Sequence, residues 1–506
     1  MVNKKTKYAG PSIRKELRAE SVSLPKKSWY EKVAWPFIIL LCIVMFFTLD
    51  YGSDYKRREG ALTFDESIYM RLGFQLKNGE PYNTLKLFEE RHQSILLPSY
   101  MSRPVFKHPP LFSWLISMSY SVLEQKSAYQ FEELYGAASK VPNLMGCLLV
   151  LLAFMFAKKR YGYAAAILAA LLLAIDLNVT LSSQKVWMES TLAFFVFSTL
   201  HLLYKSCEEN KGYFYPAGIV FGFALLTKYT AVLIAPILIS YILIYHRAFF
   251  RQKELYLFFA IAALIFSPWV IHNINVYGLD TFKVMILGQT AGPIKMAYFA
   301  AFTGAAIFIL LIAIKMNKQR ESKMENEFNN DQSFYGMRQA CMIVIGLFSA
   351  FLLTQKPFLM SIIKTLDWSS LPTAGWDMKL FKQEPRYFYL KQQIEYSPIY
   401  LFLLIAFLRA PFGQKQDVFL FLSCFWMLLF TTVWGNFQGR YVLSFVAPAI
   451  ILISSTIILT FQFLMKQKNM TRYVGLGFML LSMTYFIVKA LKVYQAIALS
   501  DNVAYF

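Results

Sequence analysis

An all-α polytopic membrane protein of about 13 transmembrane helices (11–14) is the fold the sequence predicts, and three observations carry that reading. Apolar residues make up 57% of the 506 positions and aromatic residues 17%, too much for a soluble domain and too long a chain for a single anchor. The apolar residues gather in runs of roughly 12 to 20, separated by polar turns. The Lys and Arg behind the net charge of +21 lie in short clusters between those runs. There they set the orientation of membrane helices, whereas a nucleic-acid surface would collect them on one face.

Taken in order, residues 1–32 form a basic tail without a small-residue cleavage motif, so 33–49 reads as a retained first helix with a cytoplasmic N-terminus. Apolar runs over 141–157, 189–204 and 229–245 are each followed by basic residues: Lys158, Lys159 and Arg160, then Lys205 and Lys211, then His246, Arg247, Arg251 and Lys253. Return spans over 163–182, 213–226 and 255–271 place every one of these clusters on the cytoplasmic side. A span over 298–314 leads to KMNKQRESKMENEFNNDQ, a solvated cytoplasmic loop, and 340–354 leads out again. Spans over 397–408, 418–433, 441–463 and 473–488 complete the set. Lys56, Arg57 and Arg58 alone break the charge rule, falling outside directly after the first helix.

The expected organisation is therefore a transmembrane module over 33–490, with a first outer loop at about 50–140, a second at about 355–396, and a short extracytoplasmic tail over 491–506. No separate soluble domain and no internal repeat is evident. The five cysteines show no paired spacing, which supports neither a disulfide framework nor a zinc site.

The first outer loop contains LTFDESIYMRLGFQLKNGEPYN and MSRPVFKHPPLFSWLISMSYSVL. Ile68, Leu72 and Leu76, with Tyr69 and Gly73, recur at helical spacing, so Asp65 and Glu66 stand near the start of a juxtamembrane helix, where carboxylates suit the helix dipole. Capping alone would account for such a pair. Counting 111–123 as a span would reverse the polarity of every later turn, so it reads as an interfacial helix along the outer surface.

The order of basic tail, first helix, Asp-Glu loop and HPPL resembles the GT-C type membrane glycosyltransferases, especially the protein O-mannosyltransferases and the lipid A aminoarabinose transferases. The resemblance continues through KVPNLMGCLLV, SSQKVWMESTLAFFVF, GIVFGFALLTKYTAVLIAP, EPRYFYLKQQIEYSP and GRYVLSFVAPAIIL. Those families commonly have Arg in place of Lys140 and Asp in place of Glu189; a Lys point charge cannot clamp phosphate as Arg does.

The resemblance implies transfer of a sugar, with inversion, from a polyprenyl-phosphate donor to a hydroxyl on the extracytoplasmic face of a cell membrane. It assigns the general base to Asp65, with Glu66 orienting the acceptor or supporting the helix. A leaving phosphate needs no proton, whereas an alcohol nucleophile needs a base. Charge developing on that phosphate calls for fixed cations at the same level. The candidates are Lys228, Arg386 and Arg440, together with Lys107 and His108; for each, snorkelling or headgroup contact is the bland alternative. Lys185, Glu189 and Tyr441 belong to the same resembling stretches. A Lys185–Glu189 ion pair four residues apart is an equally open reading.

No metal ligand set is expected. A divalent cation on Asp65, Glu66 and Glu189 stays an open question. His201, inside a span, reads as a satisfied interior histidine. Mannose, another hexose or a pentose would serve as the sugar, and a protein, a lipid or a surface glycan would present the hydroxyl; membrane lipids are further partners. The rival reading is a polytopic transporter or lipid flippase. Asp176 is its starting point, since transporters place ionisable groups within broken helices.

Overall fold

The computed structural model describes residues 29–58, 63–82, 108–123, 131–278, 388–434, 439–467 and 470–498. Lys107, Arg386, the expected spans 298–314 and 340–354, the charged loop between them, and most of both the N-terminal tail and the second outer loop lie outside these residues. The described residues are helical throughout their ordered elements, with no strand among them.

The first span extends past its apolar run to become α1, Trp29–Arg58. Helix α2 (Phe64–Lys77) and α3 (Leu111–Val122) follow, at the positions read from periodicity. They meet at Gly73, where an added Cβ would lie 2.6 Å from Ile116 Cγ2, so a bare backbone allows the close approach. On α3, Phe112, Ile116 and Tyr120 are buried while Trp114, Met118 and Val122 are exposed, a two-faced pattern suited to an interface.

Helix α4, Phe131–Tyr161, begins ten residues before the apolar run at 141 because Leu134, Tyr135, Ala137 and Ala138 are buried in the cluster that also holds Tyr69 and Ile116. Much of the supposed first loop is thus helix. The expected span 163–182 is broken into α5 (Tyr163–Ala174) and α6 (Leu177–Gln184), bent by 52°. Asp176 sits at the break. Its Oδ1 accepts from the backbone N–H groups of Asn178 and Val179, and its Oδ2 from the Tyr400 hydroxyl at 2.8 Å. A carboxylate so engaged caps the start of α6.

Helices α7 (Glu189–Glu208), α8 (Phe214–Thr227), α9 (Ile234–Tyr245) and α10 (Lys253–Tyr277) follow, with a 3₁₀ turn over Tyr229–Leu233 replacing the first part of the span expected at 229–245. Beyond them lie α11 (Phe388–Tyr396), α12 (Leu401–Arg409), α13 (Lys415–Trp434), α14 (Leu443–Lys466) and α15 (Met470–Ala498). Helix α14 is the hub, packing on α4, α5, α7, α12, α13 and α15. Its first fifteen residues are buried almost without interruption. By contrast, α1 and α10 expose Ile39, Leu40, Phe47, Leu264 and Ile271, as lipid-facing helices do.

By length and composition, five helices among the described residues can cross a membrane, or six when α5 and α6 count as one bent span. The chain is thus a multi-pass, helical membrane protein, while the expected thirteen spans are more than the described helices account for.

Candidate active site

Glu66 is the structural centre of the first site element. Its Oε2 accepts from the Thr63 backbone N–H at 2.7 Å and the Thr63 hydroxyl at 2.8 Å, closing the start of α2 in the manner of a capping box. Its Oε1 accepts from the Tyr135 hydroxyl and the Val186 backbone N–H, both at 3.1 Å. The side chain is fully buried, and the equally buried Lys185 ammonium lies 3.7 Å away. Burial pulls the Lys185 ammonium below its usual range, and the Glu66 charge opposes that fall. One carboxylate therefore pins α2 to α4 and to the turn that joins α6 and α7.

Asp65 faces the other way. Its Oδ2 accepts from Arg440 at 2.5 Å, across 375 positions of chain. Arg440 also places Nε 3.7 Å from Glu189 Oε1, and that same oxygen accepts from Lys228 Nζ at 2.9 Å. Two carboxylates and two cations from four distant segments thus form one network: α2, the first residue of α7, the residue after α8, and the turn before α14. The guanidinium lies over the Trp187 ring at 4.6 Å, and the Lys228 ammonium lies over the Tyr441 ring at 4.1 Å. Aromatic faces hold both cations with weakly polar contacts that leave their donors usable.

Tyr69, one turn after Asp65, is buried beside this network. Burial, and then the charges of Asp65 and Glu189, push its phenol far above its ordinary value, so it stays an O–H group. His108 packs edge-on against Tyr69 at 5.4 Å, and its carbonyl accepts from the Tyr82 hydroxyl at 3.1 Å. His108 is placed here as a partner of the loop.

The i,i+4 ion pair between Lys185 and Glu189 does not form. Lys185 lies in extended backbone ahead of α7, so helical spacing does not apply, and the two residues take separate partners, Glu66 for one and Lys228 for the other. Lys140 pairs with Asp50 of α1, not with the site network. His201 packs on Phe156, and its Nδ1 has no hydrogen-bond partner among the described residues, so it is not fully satisfied as expected. Residues that sequence reasoning passed over are Thr63, Tyr135 and Trp187, while Tyr69 was read only as part of a helical spacing. Only Trp187 carried a signal: it stands midway between the charged Lys185 and Glu189.

Among the described residues no group of three His, Cys, Asp or Glu side chains could hold a metal ion. Asp65, Glu66 and Glu189 each face a cation of the protein. The arrangement can do two things: accept a proton at Asp65, and offer Arg440 and Lys228 to an anion.

Residues 107–272, about one third of the chain, match the family described as dolichyl-phosphate-mannose-protein mannosyltransferase. No curated protein matches by sequence. In overall fold the chain is similar to the archaeal oligosaccharyltransferase AglB from Archaeoglobus fulgidus, solved in complex with an inhibitory peptide and a dolichol-phosphate; identity is 16%, the TM-score 0.53, and the likeness covers 93% of this chain and 56% of that one. For the apo form of the A. fulgidus oligosaccharyltransferase the TM-score is 0.54, with 16% identity over 95% of this chain and 57% of that one. The chain thus spans little more than half the length of these proteins. ArnT from Cupriavidus metallidurans in the apo state gives a TM-score of 0.40 at 14% identity, over 87% of this chain and 82% of that one. The all-α membrane fold expected from the sequence is found, and it is similar to that of the A. fulgidus oligosaccharyltransferase structures.

Proposed function

We propose that this protein is a polyprenyl-phosphate-sugar-dependent glycosyltransferase that moves a sugar, with inversion, to a hydroxyl on the extracytoplasmic face of a cell membrane. The observation that carries the reading is the convergence of Asp65, Glu189, Lys228 and Arg440 at one end of the helical bundle. The matched mannosyltransferase family and the dolichol-phosphate in the AglB complex support a lipid phosphate as the donor's anionic part.

In this reading the anomeric carbon loses its bond to the donor phosphate oxygen as it forms one to the acceptor oxygen. The acceptor proton goes to Asp65. A carboxylate held by a guanidinium is a weak base, because the cation favours its charged form. The donor phosphate competes for Arg440 and Lys228, and each step of Arg440 toward that phosphate leaves Asp65 more basic. Phosphate binding and base activation are thereby coupled through one side chain. Lys228 and Arg440, preorganised on aromatic faces, then stabilise the negative charge that grows on the leaving phosphate.

Purified protein in lipid nanodiscs, incubated with a panel of polyprenyl-phospho-sugars and with peptide, lipid or glycan acceptors, tests the reading. Consumption of one donor, release of polyprenyl phosphate and an inverted anomeric linkage by NMR are the expected results. Transbilayer movement of lipid in vesicles, with no donor consumed, would instead support a flippase.

A further inference from the structure

The turn Lys185–Met188 carries more of the site than its length suggests. Trp187 is fully buried, and its two functional parts point at two different members of the site. The indole N–H donates to Thr63 Oγ1 at 3.1 Å. That hydroxyl in turn donates to Glu66 at 2.8 Å, so Trp187, Thr63 and Glu66 form a relay at the N-terminus of the helix that presents Asp65. The ring face, by contrast, supports the Arg440 guanidinium at 4.6 Å, with the Lys185 ammonium 5.4 Å from the same ring.

The geometry points to Trp187 as a positioning residue that sets the spacing between the base and the phosphate cation, through separable halves of one side chain. The N–H holds the start of α2, and with it Asp65. The π face holds Arg440. This rests on the assignment of Asp65 and Arg440 in the proposed function and adds a residue that touches neither sugar nor phosphate. A phenyl ring keeps the face and lacks the donor; an aliphatic side chain lacks both. The two halves therefore have different kinetic signatures.

The test compares Trp187→Phe, Trp187→Leu, Thr63→Val and the Thr63→Val/Trp187→Phe double variant in the transfer assay, with binding of polyprenyl phosphate measured in parallel. For Trp187→Phe the expectation is a kcat lower by about tenfold, with donor KM and polyprenyl phosphate affinity within about twofold of wild type. Trp187→Leu should lower kcat and also weaken both donor terms by about tenfold, because the cation loses its platform. Thr63→Val breaks the same relay, so it should match Trp187→Phe, and the double variant should be no slower than either single one.

Equal changes in kcat and donor KM for the Phe and Leu variants, or multiplying losses in the double variant, would overturn the inference while leaving the enzyme reading intact. If Trp187→Leu does not fold, the Thr63/Trp187→Phe cycle decides alone. A wild-type protein that neither binds polyprenyl phosphate nor transfers sugar would remove the reading and the inference together.

Discussion

Replacing Asp65 by Asn separates chemistry from architecture at this site. The change preserves shape and an acceptor oxygen for Arg440, and removes the ability to take a proton. Arg440 is not stranded, because Glu189 Oε1 remains 3.7 Å from its Nε. The Asp65 side chain is also 28% exposed, so water shares the lost charge. The stability cost should therefore be about 1 kcal/mol, below the roughly 3–5 kcal/mol of breaking a sequestered pair. The loss of a general base costs about 10²–10⁴ in rate, or roughly 3–5 kcal/mol in the barrier. Removing one negative charge beside two cations should leave donor affinity equal or tighter. Single-turnover transfer from a labelled polyprenyl-phospho-sugar, with donor binding and thermal unfolding measured on the same preparation, reads all three quantities. A variant that still turns over within about tenfold of wild type would end the base assignment.

Glu66→Gln should do the reverse, damaging the fold first: it strands the Lys185 ammonium and turns one acceptor oxygen into an NH2 that faces two of the four hydrogen-bond donors, at a cost of about 3–5 kcal/mol, seen as a large drop in Tm. Unchanged melting would show that Glu66 is not the pin described. Gly73→Val forces new methyl groups onto the buried Ile116 and should cost about 1–3 kcal/mol by thermal unfolding, together with transfer activity as α2 shifts. At the opposite end of the bundle, burial pushes the Glu208 carboxyl up, but hydrogen bonds from His246, Tyr241 and Lys415 outweigh it and hold the group at about 2. A lowered folded value means that this stabilisation is complete above the unfolded carboxyl range of about 4.3 and is lost as pH falls through about 2. Melting followed downward from neutral pH should therefore fall less steeply for Glu208→Gln than for wild type, and parallel curves would contradict the assignment.

Much of the local architecture was legible because its signals are local. The 68–72–76 spacing placed α2, the apolar run at 111 placed α3, and the acidic pair followed by that spacing marked a helix start, all of which need only neighbours along the chain. The break at Asp176 was not legible. The run before it is apolar and the polar residues after it fit a helix as well as a turn, while the hydroxyl that meets Asp176 there belongs to Tyr400, 224 positions away. Lys185 illustrates the same limit: sequence spacing offered Glu189, while packing supplied Glu66.

From its sequence alone this chain is determined as a helical, multi-pass membrane protein, because hydropathy reports which segments suit a bilayer. Which of its charged residues meet is a matter of helix rotation and neighbour choice, to which hydropathy is blind, since lipid and protein interiors are nearly equally apolar. Only the packing of α2, α7 and α8 around the start of α14 brought Asp65, Glu189, Lys228 and Arg440 into one network, and only that packing turned an unremarked tryptophan into the spacer between them.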